Sequence, residues 1–184
     1  MEGSSTWNRS FLRKAMWCAA GGVLLLPAIA MQLGAEGVVW TAQDFVAMGV
    51  MLALAGAAFE VFARMSGGVI YRLGAAAAVG GALLLVWVNL AVGFIGDEGN
   101  PANLLFGGVL LVEIAGAIVV RARASGMAFV MLATACAQAL VGGFALAGKL
   151  GEAWEIVMGT TLFVAIWLGS AAMFRLASRG RAHG

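Results

Sequence analysis

Residues 71–123 decide the fold that this sequence predicts. They consist of YRLGAAAAVGGALLLVWVNLAVGFIG (71–96), DEGNPAN (97–103) and LLFGGVLLVEIAGAIVVRAR (104–123). Each apolar run is long enough to cross a bilayer, which requires about 20 residues in a helix. A short acidic turn joins the two runs, and arginines close both far ends. The pattern predicts a transmembrane helical hairpin.

The composition of the whole chain excludes water as the main solvent. Of the 184 residues, 62% are hydrophobic and only 11% are charged, whereas a soluble domain carries about 25% charged residues. At about 20 residues per span, the chain has room for about six spans with short loops. No length is left for a soluble catalytic domain, and no basic surface with interleaved aromatic residues indicates nucleic-acid binding.

Four further runs resemble the two of the hairpin, and together the six predict an all-α bundle of six transmembrane helices in three hairpins. The predicted spans are residues 15–33, 45–63, 73–95, 104–120, 127–147 and 154–174. Residues 1–184 then form a single integral membrane domain. For the first run, a cleavable signal peptide is the alternative, because a basic start, an apolar run and Ala28-Ile29-Ala30 fit that template.

The charges are sorted to opposite ends of the predicted spans. Lys149 is the one basic residue on the side that carries Glu36, Asp44, Asp97, Glu98, Glu152 and Glu155. The other side carries Arg9, Arg13, Lys14, Arg64, Arg72, Arg121, Arg123, Arg175, Arg179 and Arg181. By the positive-inside rule this second side is cytoplasmic, and so are both termini. The Ala/Gly-rich composition and minimal loops favour a bacterial inner membrane.

The first hairpin is repeated 59 residues later without a gap. Identical pairs include Arg13/Arg72, Gly21/Gly80, Gly22/Gly81, Leu24/Leu83, Gly34/Gly93, Gly37/Gly96, Gly49/Gly108, Ser66/Ser125 and Gly67/Gly126. A fainter third copy gives repeat units of about 13–67, 72–126 and 127–180. Units of the same orientation are parallel repeats about an axis along the membrane normal. The alternative is composition bias in an Ala/Gly-rich membrane protein.

Glu113 is the leading functional candidate, because it lies about midway along the fourth span. A central acid costs about 3 kcal/mol of insertion free energy, and intramembrane acids mark proton relays, cation sites or polar ligand contacts. The structural alternative is a protonated Glu113 hydrogen-bonded to a neighbouring helix, for instance to Asn89 or Gln138. Leu54 occupies the equivalent place in the first repeat.

Three other polar residues within predicted spans are candidates. Asn89 and Gln138 are expected to form hydrogen bonds between helices, which is the usual role of amides in membrane bundles. Glu60 precedes Arg64 by four residues, so the two side chains can pair on one helix face.

Asn100-Pro101-Ala102 matches the aquaporin Asn-Pro-Ala motif in three residues only, and it occurs once. Proline in the first turn behind an asparagine cap explains it as a helix start. Thr41 and Asp44, in the first repeat, predict a capping box at the equivalent place.

The remaining chemistry-bearing residues predict no enzyme, no metal site and no cofactor. Cys18 and Cys136 fall inside apolar runs, where they are expected to be small packing residues. His183, the one histidine, lies in the C-terminal tail. The chain has no nucleophile–base set and no lysine inside a predicted span.

The loop GDEGNPAN (96–103) and the flanking WVNLAVGFIG (87–96) resemble a group of small bacterial polytopic membrane proteins. This resemblance implies a multi-pass membrane protein and brings no particular activity with it.

Two function classes follow from these patterns. The first is a small transporter or channel-like protein for a proton, ion or small solute, with Glu113 as the coupling acid and Asn89 and Gln138 along the path. The second is a non-catalytic scaffold or accessory subunit whose Ala/Gly faces bind other helices. The lipid bilayer is the expected partner in both classes, with a second copy or another membrane protein added in the second.

Overall fold

A computed structural model describes residues 3–65 and 68–180, with side chains from residue 14 onwards except residue 15. Over this range the protein is helical and has no strand. The helices are α1 (Gly3–Gln32), α2 (Ala42–Met65), α3 (Val69–Ala91), a 3-10 turn (Pro101–Leu104), α4 (Leu105–Val119), α5 (Ala124–Ala147) and α6 (Ala153–Gly180). The side chains of Arg9 and Arg13, the loop residues Ser66 and Gly67, and the tail residues Arg181 and His183 lie outside the described set.

The predicted all-α fold with six helices is confirmed. Five segments are long and apolar enough to cross a membrane: α2, α3, the 3-10 turn together with α4, α5 and α6. The helix α1 contributes a shorter apolar segment, Met16–Gln32. The chain is therefore a multi-pass integral membrane protein. The largest departures from the predicted bounds are at the start of α1, which begins at Gly3 and not at residue 15, and at the end of α6, which continues past Phe174 to Gly180.

The chain divides into two compact units, Met1–Glu60 and Val61–Gly184. In the first unit, the indole of Trp17 lies against Gly56, where a methyl group would be 2.9 Å from Trp17 Cη2. Trp17 Nε1 also donates a hydrogen bond of 3.1 Å to Glu60 Oε1. The lack of a side chain at Gly56 of α2 therefore makes room for a large aromatic ring.

In the second unit, α6 is the central helix. It packs against α5 and against α3, while α4 packs against α5. Glycines mark the close approaches: Gly81 of α3 lies under Trp167, and Gly74 lies under Phe174. Close packing of small residues is the usual basis of helix association in lipid. The helices α3 and α4 are consecutive, yet each forms its main helix interface elsewhere, so this hairpin is a connection and not a packing unit.

The loop between α3 and α4 is held by Asn103. Its Oδ1 accepts hydrogen bonds from the backbone N–H groups of Phe94 (3.0 Å) and Ile95 (2.8 Å), and its Nδ2 donates to Asp97 O (2.7 Å). Asn100 caps the 3-10 turn by accepting from Ala102 N (3.0 Å), with Pro101 in the first turn. The capping explanation of Asn100-Pro101-Ala102 is confirmed.

Helix ends and loop glycines recur at the 59-residue spacing. The helix α1 ends at Gln32 and α3 at Ala91, while α2 begins at Ala42 and the 3-10 turn at Pro101. All four described glycines with positive φ belong to two of the identical pairs, Gly34/Gly93 (71° and 75°) and Gly37/Gly96 (81° and 74°).

The predicted capping box at the start of α2 is also confirmed. Asp44 Oδ2 accepts from Thr41 N (2.7 Å), and Thr41 Oγ1 accepts from Asp44 N (3.4 Å).

Candidate functional site

Glu113 lies on the buried face of α4, in line with Phe106 and Val109. Only 7% of its surface is exposed, and it is the one buried Asp, Glu, Lys or Arg side chain in the described part of the chain. The atom Oε2 has no hydrogen-bond partner among the described residues. An acid that is buried in lipid without a partner is costly, so its retention points to a use.

Gln138 of α5 is fully buried, and neither Nε2 nor Oε1 has a hydrogen-bond partner. An unpaired buried amide costs about 1–3 kcal/mol for each group left unsatisfied. Thr134, one turn earlier on the same face, shows the ordinary solution: its hydroxyl donates to Val130 O at 2.9 Å.

Two further unpaired polar groups escaped the sequence analysis. The indole Nε1 of Trp167 and the hydroxyl of Thr160, both on α6, are buried and have no partner. Both residue types are common in membrane helices, where Trp serves as an interfacial anchor and Thr bonds its own backbone. Only their unpaired state distinguishes them, and a single sequence does not show it.

Glycine contacts fix the register of these groups along α5. Gly116 of α4 faces Val130, and Gly142 of α5 faces Thr160 of α6. In antiparallel helices, Glu113 then lies level with about Ala133, and Trp167 with about Ala135. Because Gln138 follows only a few residues later, the three side chains lie within about 8 Å of one another along the bundle axis. We call Glu113, Gln138 and Trp167 the central polar cluster.

Aromatic rings line the same part of the second unit. The ring of Phe94 lies 4.4 Å from that of Phe106 and 5.7 Å from that of Phe163, between ring centroids. Phe163 in turn lies 6.3 Å from Trp167. Phe163 therefore links this row of rings to Trp167 of the central polar cluster.

The structure places Asn89 away from the central polar cluster. Gly81 faces Trp167, so Asn89, eight residues further along α3, is level with about Gly159 of α6. Its Nδ2 donates to Leu85 O in the same helix (2.8 Å), and its Oδ1 is buried without a partner. The predicted interhelical hydrogen bonds of Asn89 and Gln138 are therefore wrong, and Glu113 bonds neither residue.

Comparisons with protein-family models, with curated proteins and with solved structures find no match for this chain. A functional assignment therefore depends on the chemistry of the site and not on analogy of fold.

Glu60 and the two cysteines lie outside the central polar cluster. Glu60 accepts the hydrogen bond from Trp17 described above, and its pairing with Arg64 stays a prediction. Cys18 and Cys136 are free thiols with exposed side chains, so the packing role expected of them within the bundle is wrong.

The central polar cluster can accept, donate and hold a proton. It contains one carboxyl group, one amide and one N–H donor, and no basic side chain is buried among the described residues. The described residues also contain no group of three or more His, Cys, Asp and Glu side chains that could hold a metal ion. Such a donor set suits a proton or a small neutral or cationic polar species and disfavours an anion.

Proposed function

We propose that this protein is a small, non-enzymatic transporter or channel-like protein that passes a proton, an ion or a small polar solute, with Glu113 as the coupling acid. The observation that carries the proposal is that Glu113 Oε2 and both polar atoms of the Gln138 amide are buried without hydrogen-bond partners. By the register of the glycine contacts, the two residues lie within about 8 Å of each other along the axis of a membrane-spanning unit. Buried polar groups without partners are destabilising, and in transporters and pumps such groups mark the path of the substrate.

The path in this proposal includes Gln138 in the central polar cluster and Asn89 one to two turns away. Their amides offer both donors and acceptors, so they can bind a moving polar species without fixing it in place. The aromatic rings of Phe94, Phe106 and Phe163 would keep the path closed to bulk water in the state described.

The test is flux in proteoliposomes that carry wild type, Glu113→Gln or the control Glu98→Gln. Glu98 lies in the exposed loop after α3, so the control makes the same chemical change outside the core. We expect wild type and the control to dissipate an imposed pH gradient equally, and Glu113→Gln to lose at least about 90% of that rate, a ten-fold change that corresponds to about 1.4 kcal/mol. Unchanged flux in Glu113→Gln would remove Glu113 from the mechanism.

A membrane scaffold or accessory subunit is the second candidate, and one observation favours it. Gly107 and Gly108 on α4 and Gly143 on α5 are exposed, and a methyl group on any of them would meet no other atom within 4 Å. Surfaces of this kind let a second copy or another membrane helix approach closely. Absence of flux in wild type, together with co-purification of a membrane partner that Gly108→Leu abolishes, would favour this function.

We also propose that the two hairpins are copies of one unit and that both termini are cytoplasmic in a bacterial inner membrane. Support for the repeat comes from the matched helix ends and from the positive-φ glycines at Gly34/Gly93 and Gly37/Gly96. The two hairpins correspond most closely at the loop that joins their helices, where these glycines lie. At the other end they differ, because α4 stops at Val119, several residues before the position that matches the end of α2. Support for the orientation comes from the arginines, which sit at the opposite helix ends.

A further inference from the structure

Within the helices of the second unit, two buried hydroxyl groups are paired on the arginine side of Glu113, and three polar side chains have unpaired atoms on the Asp97 side. Towards the arginine end, the Tyr71 hydroxyl donates to Ala122 O (2.6 Å), and the Ser170 hydroxyl donates to Gly74 O (2.8 Å). Towards the Asp97 loop, Gln138, Thr160 and Asn89 each bury at least one polar atom that has no partner.

The unpaired atoms follow one another along the bundle axis. Measured along α5, Glu113 is level with about residue 133, Gln138 occupies its own position, and Thr160 and Asn89 are level with about residues 142–143. The row therefore covers about ten residues, or about 15 Å, which is half the thickness of the hydrocarbon core. It begins at Glu113, about midway along its predicted span, and ends near Phe94, which lies against Gly159.

The other half of the axis is filled by large apolar side chains. Tyr71, Met127, Met131 and Phe174 are each at most 1% exposed, and the rings of Tyr71 and Phe174 are in edge contact with centroids 5.2 Å apart. With their few hydroxyls already bonded to carbonyls, these layers offer no polar group to a water molecule.

We propose that, in the conformation that the structure shows, Glu113 exchanges its proton only with the Asp97 side of the protein, through a short file of water molecules bound by Gln138, Thr160 and Asn89. Buried waters typically bind polar groups that would otherwise be unsatisfied, with about three hydrogen bonds each. This inference rests on the proposed role of Glu113 and specifies the substrate as a proton and its access as one-sided.

The transfer itself needs no other reactant. The carboxyl O–H donates its proton to the adjacent water, and that water releases one of its own protons to the next, while the bonding electron pair stays on the Glu113 oxygen. One proton leaves at the Asp97 end, and the carboxylate remains until the reverse transfer restores it.

The test measures hydrogen–deuterium exchange of the Glu113 carboxyl by infrared spectroscopy after the purified, lipid-reconstituted protein is mixed with deuterated water. The Glu113 band is assigned by its loss in Glu113→Gln. Thr160→Val removes a hydroxyl from the proposed file, and Thr134→Val makes the same change at a paired hydroxyl outside it. We expect Thr160→Val and Gln138→Leu to slow exchange by about tenfold, the factor for loss of one hydrogen bond, and Thr134→Val to leave it unchanged.

Thr160→Ser keeps the hydroxyl and should restore the wild-type exchange rate, which separates the loss of a polar group from a general packing defect. Equal slowing by Thr134→Val and Thr160→Val, or no slowing by Thr160→Val and Gln138→Leu, would overturn the proposal. Absence of any exchangeable Glu113 carboxyl band would overturn it too. Exchange needs no net flux. Exchange that Thr160→Val and Gln138→Leu slow, in a protein that shows no flux, would therefore reject transport and leave the access path intact.

Discussion

Single residues in the core of the second unit carry the functional argument, and the sequence located some of them. Glu113 stood out because an acid in an apolar run is costly, and the structure places it in the core. Gln138 stood out because an amide in an apolar run is also costly, but the hydrogen bond expected between Gln138 and another helix was wrong. Trp167 and Thr160 were missed, because an indole N–H or a hydroxyl becomes unusual only when its surroundings offer no acceptor.

Removing the Gln138 amide should stabilise the protein. In Gln138→Leu, two unpaired polar groups are replaced by an apolar side chain of similar volume, and we expect the free energy of unfolding to rise by about 1–3 kcal/mol. Thr134→Val removes a paired hydroxyl and should lower it by about 1 kcal/mol. Both values can be measured by reversible denaturant unfolding in mixed micelles. A loss of stability in Gln138→Leu would mean that the amide has a structural partner.

Asn103 should be the most sensitive residue of the loop after α3. Asn103→Ala leaves the N–H groups of Phe94 and Ile95 and the carbonyl of Asp97 without their present partner, so we expect a loss of about 2–4 kcal/mol. Asn103→Asp keeps the acceptor and loses only the donor, and its loss should be about half as large. Thermal unfolding followed by circular dichroism measures both, with exposed Glu98→Ala as the control. Equal effects of Asn103→Ala and Glu98→Ala would show that the loop is not held by this side chain.

At the scale of helices, the sequence predicted well that six helices exist and where they lie along the chain. It predicted poorly which helices pack against one another. Apolar runs and terminal charges located all six helices, because bilayer thickness restricts their length. The apolar run of the last span ends before Arg175, so the predicted helix ended there, whereas α6 continues to Gly180. Partner choice depends on which glycines meet which large side chains, and this three-dimensional match is not visible in one chain without its fold.

The interface between α3 and α6 gives a matched pair of adjacent glycines. A methyl group on Gly81 would lie 2.7 Å from Trp167 Cζ3 and 2.9 Å from Ile166 Cγ2, while one on Gly80 would meet nothing within 4 Å. Gly81→Ala should therefore lower the free energy of unfolding by about 1–3 kcal/mol through overpacking. Gly80→Ala should be neutral or stabilising, because alanine is the better helix former.

The comparison is made by denaturant unfolding of the two variants in the same micelles. If both alanine variants unfold at the wild-type denaturant concentration, α3 and α6 are not in the close contact described here.

At the scale of the whole molecule, the orientation in the membrane is the prediction with the widest consequences. In a background with Cys18→Ala and Cys136→Ala, Glu98→Cys should react with a membrane-impermeant thiol reagent added to intact cells. Ser125→Cys, exposed beside Arg121 and Arg123, should react only after the membrane is broken. Labelling of both cysteines from outside would reject the six-span topology, since residues 98 and 125 flank a single span.

The pairing of α3 with α6 also has a consequence for biogenesis. The ribosome delivers α3 and α4 to the translocon well before α6 has been made, so the bare glycine face at Gly74 and Gly81 must wait in lipid for its partner. During that interval the face is open to close contact with any other helix in the membrane. A nascent chain that stalls after α5 should be a preferred substrate for membrane quality-control proteases.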